Sequence, residues 1–213
     1  MKKVLLLLAL IITSVTFAQN DAKAKSLLGE VSKKVKSYDN ITIDFKYVLN
    51  NESEKIKQET RGDVTMQGEK FKLNILGLTR IFDGEKLYTI SPEDEEVTIS
   101  SENGDDESTI TPSKMLSFYE NGYTYKLDIV QNIKGRKIQY VKLSPMDSNT
   151  TINYILLGID AETKHIYNLI EIGNNGTKTT LTVNSFKTNE PISKTLFTFD
   201  ESKFKDYFIN KLD

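Results

Sequence analysis

The chain has 213 residues, 28 lysines and arginines against 30 aspartates and glutamates, one histidine and no cysteine. One imidazole without a thiol cannot fill a tetrahedral metal site, and without cysteine no disulfide staples the fold, so stability has to come from core packing. Charges of both signs are scattered rather than concentrated, which argues against nucleic acid or an anionic membrane surface as a partner.

Met1, Lys2 and Lys3 precede an apolar run from Val4 to Phe17, and Thr16 and Ala18 are placed for a cut ahead of Gln19. This is the pattern of a secretory signal peptide over residues 1–18. Its apolar run of about 14 residues is shorter than the roughly 20 that a spanning helix needs. No cysteine stands at the cut to accept a lipid, so a soluble, untethered protein in the periplasm is expected. Residues 19–213 have the size of a single domain.

From Asp21 to Tyr38, the residues Ala24, Leu27, Leu28, Val31, Val35 and Tyr38 share one helical stripe, with Asn20 or Asp21 as N-cap and Asp39-Asn40 as the break. The period then changes to two. Ile41, Ile43, Phe45, Tyr47 and Leu49 alternate with polar residues, as do Gly62, Val64 and Met66, and then Phe71, Leu73 and Ile75. Such alternation marks half-buried strands. Further strands are expected at residues 79–82, 86–90 and 97–100, with turns at Asp83-Gly84 and at residues 91–94.

An acidic stretch, Glu102 to Glu107, separates the two halves. Thr111 as N-cap and Pro112 at the first helical position predict a short second helix through Met115, Leu116 and Phe118, stopped by Asn121-Gly122. Strands then follow at residues 123–130, 138–143, 152–160, 165–172 and 178–186. About eleven strands with no helical crossovers make the sheet antiparallel. At about 4.8 Å per strand it is far wider than the two helices can cover, so it has to curl until its apolar face sees itself. The residues alone leave both an enclosed cavity and a solid sandwich open.

Catalytic and metal motifs are missing. His165, at the start of a strand, reads as a surface or strand-edge residue rather than a general base. The acidic residues Glu93 to Glu96, Asp105 and Asp106 lack the spacing of a calcium loop and read as solvated turns. No Gly-rich nucleotide motif is present, no cofactor is implied, and no enzyme activity is expected.

The order of parts resembles the LolA family of periplasmic lipoprotein carriers. The resemblance rests on Tyr38 to Phe45, Gly62-Asp63-Val64, Lys70 to Leu73, Ile81 to Tyr88, Thr111-Pro112, Met115-Leu116, Ile155 to Thr163 and Phe197-Thr198-Phe199. It implies a mainly β fold with lid helices, an unclosed antiparallel β-barrel of about eleven strands around an apolar cavity. It further implies a monomeric chaperone that takes acylated lipoproteins from an ABC-type release complex in the inner membrane to an acceptor at the outer membrane. A carrier or sensor of another lipid on the same fold is the alternative, and a periplasmic hydrolase or a solid adhesion domain are more distant ones. On this reading, Leu27, Leu28, Val31 and Val35 line the acyl cavity from the lid side with Met115, Leu116 and Phe118. Phe45, Tyr47, Val64, Met66, Phe71, Leu73 and Ile75 line it from the sheet, and Phe71 stands where the family meets its partners. Where family members carry a Lys-Arg-Pro segment whose Arg latches the lid, this chain has Gln67-Gly68-Glu69-Lys70. The nearest cations are Arg61, Lys70 and Arg80.

Overall fold

The computed structural model describes residues 21–101, 112 and 116–212. The expected signal peptide, the cap residues Asn20 and Thr111, the acidic stretch and Met115 lie outside the described residues. The first helix, α1, runs over residues 21–36. Its stripe behaves as the spacing requires, since Ala24, Leu28 and Val31 are buried while the lysines and serines between them face out. The break after it is a clamp: Asn40 Nδ2 donates to Glu190 O, Glu190 N–H donates to Asn40 Oδ1, and Asp39 N–H donates to Asn189 Oδ1. The polar pair predicted only as a stop therefore ties the start of the sheet to a segment 150 residues away.

The alternating segments form β1 (Ile41–Asn51), β2 (Ile56–Gln67), β3 (Lys70–Ile75), β4 (Leu78–Phe82), β5 (Lys86–Ser91) and β6 (Glu96–Ser101). The second half forms β7 (Tyr123–Ile133), β8 (Arg136–Pro145), β9 (Ile152–Asp160), β10 (Ile166–Gly173) and β11 (Lys178–Thr188). Each half is a meander, and β1 pairs with β11 to join them. The turns follow from local chemistry. Leu76-Gly77 and Lys134-Gly135 both hold two consecutive positive φ angles, the conformation that matches strand twist in a two-residue hairpin. In the Asp83-Gly84 turn, the Asp83 carboxylate accepts from the N–H groups of Glu85 and Lys86.

Twelve strands are present rather than eleven, in a single sheet ordered β12-β6-β5-β4-β3-β2-β1-β11-β10-β9-β8-β7. The twelfth, β12 (Phe208–Leu212), runs parallel to β6. Its sequence has no period of two to announce it, because it is held at the edge by what precedes it in the chain rather than by its own alternation. The sheet curls but does not close, leaving β7 and β12 as edges, so the architecture is an unclosed barrel.

The core has three parts. On the inner face of the first half, Ile41, Ile43, Phe45, Val64, Met66, Phe71, Phe82 and Leu87 pack together. On the inner face of the second half, Val141, Leu143, Ile155, Leu157 and Ile159 pack against Leu28 and Val31 of α1 and against Tyr119. The third part was not expected. At β4–β6 the outer face is apolar too, through Ile81, Ile90, Val97 and Ile99, and Phe197 covers it. A run of rings, Tyr88 on Phe199 at 4.6 Å and Phe199 on Phe204 at 5.3 Å, extends this cover toward β12. The sheet is thus apolar on one face over most of its width and on both faces where the C-terminal segment crosses it.

Gly62 sits opposite Phe45 on β1 and Ile75 on β3. A Cβ there would lie 2.6 Å from Phe45 Cζ and 2.7 Å from the Asn74 carbonyl oxygen. The absent side chain is what lets the Phe45 ring lie across the sheet. Gly62→Ala is expected to destabilise by about 1–3 kcal/mol through overpacking, with part of the loss recovered in the Gly62→Ala, Phe45→Leu double variant. Urea unfolding of the three variants measures it, and equal costs for the single and double variants would refute the contact.

Candidate functional site

Between the two inner cores lies an apolar cavity of about 180 Å³. Its walls come from both halves of the sheet: Phe45, Tyr47, Val64, Met66, Leu73 and Ile75 from β1–β3, and Leu157, Ile166, Leu169, Leu181 and Val183 from β9–β11, with Ile43, Pro112 and Leu116. Every lining side chain is hydrophobic, and only Tyr47 carries a hydroxyl. The register explains the convergence. Phe45 lies between Val183 and Gly62, and Tyr47 lies beside Leu181, which lies beside Leu169, which lies beside Leu157. Alternation puts all of these on the inner face, and the β1–β11 pairing brings the two rows together.

The residues expected to line a cavity are distributed unevenly. Phe45, Tyr47, Val64, Met66, Leu73, Ile75 and Leu116 are in its wall. Leu27, Leu28, Val31 and Phe118 belong to the neighbouring core of the second half, where α1 is seated on β8–β10. Val35 touches both inner cores. Phe71 is 1% exposed and packs on Phe82 with ring centroids 5.8 Å apart, on a rung beyond the cavity. The cover over the cavity is therefore Pro112 and Leu116 rather than the stripe of α1. Ile43, Ile166, Leu169, Leu181, Val183 and Leu157 were not singled out from the sequence. Their alternation was visible, but nothing local shows that β11 pairs with β1.

A second recess of about 370 Å³ opens beside the first, lined by Val35, Tyr38, Ile41 and Gly68 among others. Met66 and Leu116 line both spaces and form the partition between them. Around this recess α1 is held by polar contacts. Lys36 Nζ lies 2.8 Å from Glu120 Oε1, and the Ser32 hydroxyl donates to the same oxygen. These two hydrogen bonds hold the Glu120 carboxyl below its usual range. Lys164 pairs with Glu30 at 3.0 Å.

At the end of α1, Tyr38 Oη and His165 Nε2 are hydrogen-bonded at 2.8 Å, and the imidazole stacks on Phe186 at 4.1 Å. His165 is thus a half-buried packing residue at the foot of α1 rather than a surface one. Burial, with Lys34 next, pushes its pKa down. Among the described residues, Arg61, Lys70 and Arg80 make no hydrogen bond or ion pair to α1 or to residues 116–120. Ser32, Lys36 and Glu120 tie the helix to residues 118–120 instead.

Among the described residues there is no cluster of side chains that could hold a metal ion, and no helix long and apolar enough to cross a membrane. Comparison with known proteins points one way. No curated protein matches in sequence. An uncharacterized conserved protein from Thermus thermophilus has the same fold, with a TM-score of 0.61 over 89% of this chain and 99% of its own, at 11% identity. Mycobacterium tuberculosis lipoprotein LppX aligns with a TM-score of 0.52 over 81% of this chain and 98% of its own, at 12% identity. At such identities the likeness concerns the fold. Residues 36–200, however, match the family model described as outer membrane lipoprotein carrier protein LolA, and with an unclosed sheet curled around an apolar cavity the chain belongs to that family.

Proposed function

We propose that this protein is a periplasmic carrier, without enzymatic activity, that shelters the acyl chains of lipoproteins between the inner and the outer membrane. The observation that carries this reading is the cavity wall, hydrophobic at every position and assembled from both halves of the sheet. Each methylene left in water costs about 0.8 kcal/mol, so an acylated protein crosses an aqueous space only if its chains are covered. A wall of aliphatic and aromatic groups covers them without fixing one shape, which suits a cargo that has to be released. Loading from an ABC-type complex in the inner membrane and delivery to an outer-membrane acceptor complete the cycle.

The size of the cavity sets a condition. A volume of about 180 Å³ holds only a short apolar segment. A full acyl chain requires Leu116 and Met66 to swing aside, so that the cavity and the adjoining recess become one space. The test is native mass spectrometry of protein purified from its own periplasm. Acylated protein is expected to co-purify, free lipid alone would point to a carrier of another lipid, and no ligand in any preparation would overturn the reading. Leu181→Trp, which fills the cavity from β11, is expected to weaken binding of a palmitoyl probe at least about tenfold, or about 1.4 kcal/mol, with little change in stability.

A further inference from the structure

A charged residue stands on the inner face of the second half, beside the apolar cavity wall. Glu171 on β10 faces Ile155 of β9 and Thr179 of β11, one rung along from the Leu157, Leu169 and Leu181 row of the cavity wall. Residues two apart on a strand share a face, so Glu171 and Leu169 point the same way. A second observation agrees. Tyr123, which packs on the inner core of the second half, has its hydroxyl pKa raised by burial and then by the charge of Glu171. Among the described residues the Glu171 carboxylate has no hydrogen-bond donor and no cation. Burial alone raises its pKa, with nothing offsetting it. A half-buried carboxylate without a partner is a cost to the fold, and it sits where the polar end of a molecule threaded into the cavity would emerge.

We infer that Glu171 anchors the head of the bound amphiphile, accepting a hydrogen bond from an N–H group, amide or ammonium, that directly follows the acyl chain. This rests on the carrier reading and adds to it the chemistry of the head. A second inner-face charge with no partner among the described residues, Arg80, lies between Leu73 and Thr89 on the opposite wing and provides the control.

Nile red, a neutral dye, reports on the cavity, with dodecylamine and dodecanoate as competitors below their micelle concentrations at pH 7. The wild-type protein is expected to release the dye to dodecylamine at about tenfold lower concentration than to dodecanoate, since a charge-assisted hydrogen bond is among the stronger polar contacts. E171Q should bring the two within about twofold, while R80Q leaves the preference in place. Because Glu171 has no partner to lose among the described residues, E171Q should unfold at the same or a higher urea concentration than the wild type. Equal displacement in the wild type, or a preference that survives E171Q, overturns the anchor while leaving the carrier reading intact. If neither competitor displaces the dye and Leu181→Trp does not weaken its binding, the carrier reading itself fails.

Discussion

Phe71→Ala is expected to lower the free energy of unfolding by about 3–5 kcal/mol, the range for deleting a large aromatic side chain from a core that cannot collapse around the gap. Phe71 is 1% exposed. It lies between Met66 of β2 and Phe82 of β4 in register and closes the inner core of the first half. Met66 on β2 and Phe82 on β4 are fixed by their strands and cannot both move inward, so most of the cavity would persist. Phe71→Leu should cost less than half as much, because it keeps most of the buried volume. Urea unfolding of both variants decides it, and a loss below about 1 kcal/mol for alanine would show the site to be loosely packed. The result bears on function. The ring faces the interior, so a transfer defect in Phe71→Ala has to be measured where the variant is fully folded.

Asp160→Ala is expected to cost about 3 kcal/mol at pH 7, because it strips the acceptor from three buried or half-buried donors at once. The Asp160 carboxylate is 5% exposed and 2.7 Å from Arg136 Nε. Its Oδ1 accepts from the N–H groups of Glu162 and Thr163, each at 2.9 Å. Burial pushes the pKa up, but the Thr163 N–H, the Arg136 guanidinium and the Glu162 N–H outweigh it and bring it down to about 2. The sign follows from that depression. The unfolded chain binds the proton more readily, so the contribution is complete above about pH 4 and disappears as the pH falls through about 2. A depression of nearly two units is worth about 2.5 kcal/mol. Unfolding at pH 7, 4 and 2.5 should therefore show the wild type losing more stability on acidification than Asp160→Asn, whose amide does not titrate. Parallel curves would exclude the assigned role. The same turn carries Lys164 and His165, so its loosening should also weaken the seat of α1.

Much of this was legible before any coordinates. The strands expected from alternation are all present, because a half-buried strand has to alternate and that pattern lies within a few residues of itself. The helix from Asp21 was legible for the same reason at a period of 3.6. Asp83-Gly84 was readable as a turn, since short polar side chains and glycine are what such backbones need. The candidate site was legible on one side only. Phe45, Tyr47, Val64, Met66, Leu73 and Ile75 were named, while the opposite wall was not, because its identity depends on a pairing between β1 and β11 across more than 120 residues. The stripe of α1 was legible as apolar, but not which core it would join.

The amino-acid sequence by itself determined the class of this molecule: a mainly β fold of alternating strands, with no cysteine and too few histidines for a tetrahedral His and Cys metal site, and an apolar face too wide for its helical segments to cover. These properties are set by residue type and by periods of two and 3.6, which are local. The tertiary structure alone decided that the inner face encloses a space instead of packing solid, that Pro112 and Leu116 cover it while α1 lies on the neighbouring core, and that the C-terminal segment covers the apolar outer face of β4–β6. It also placed a lone carboxylate, Glu171, on that inner face. The physical reason is the same in each case. Alternation fixes which residues share a face but not which face of which distant strand they meet, and that choice is made only when the whole sheet curls.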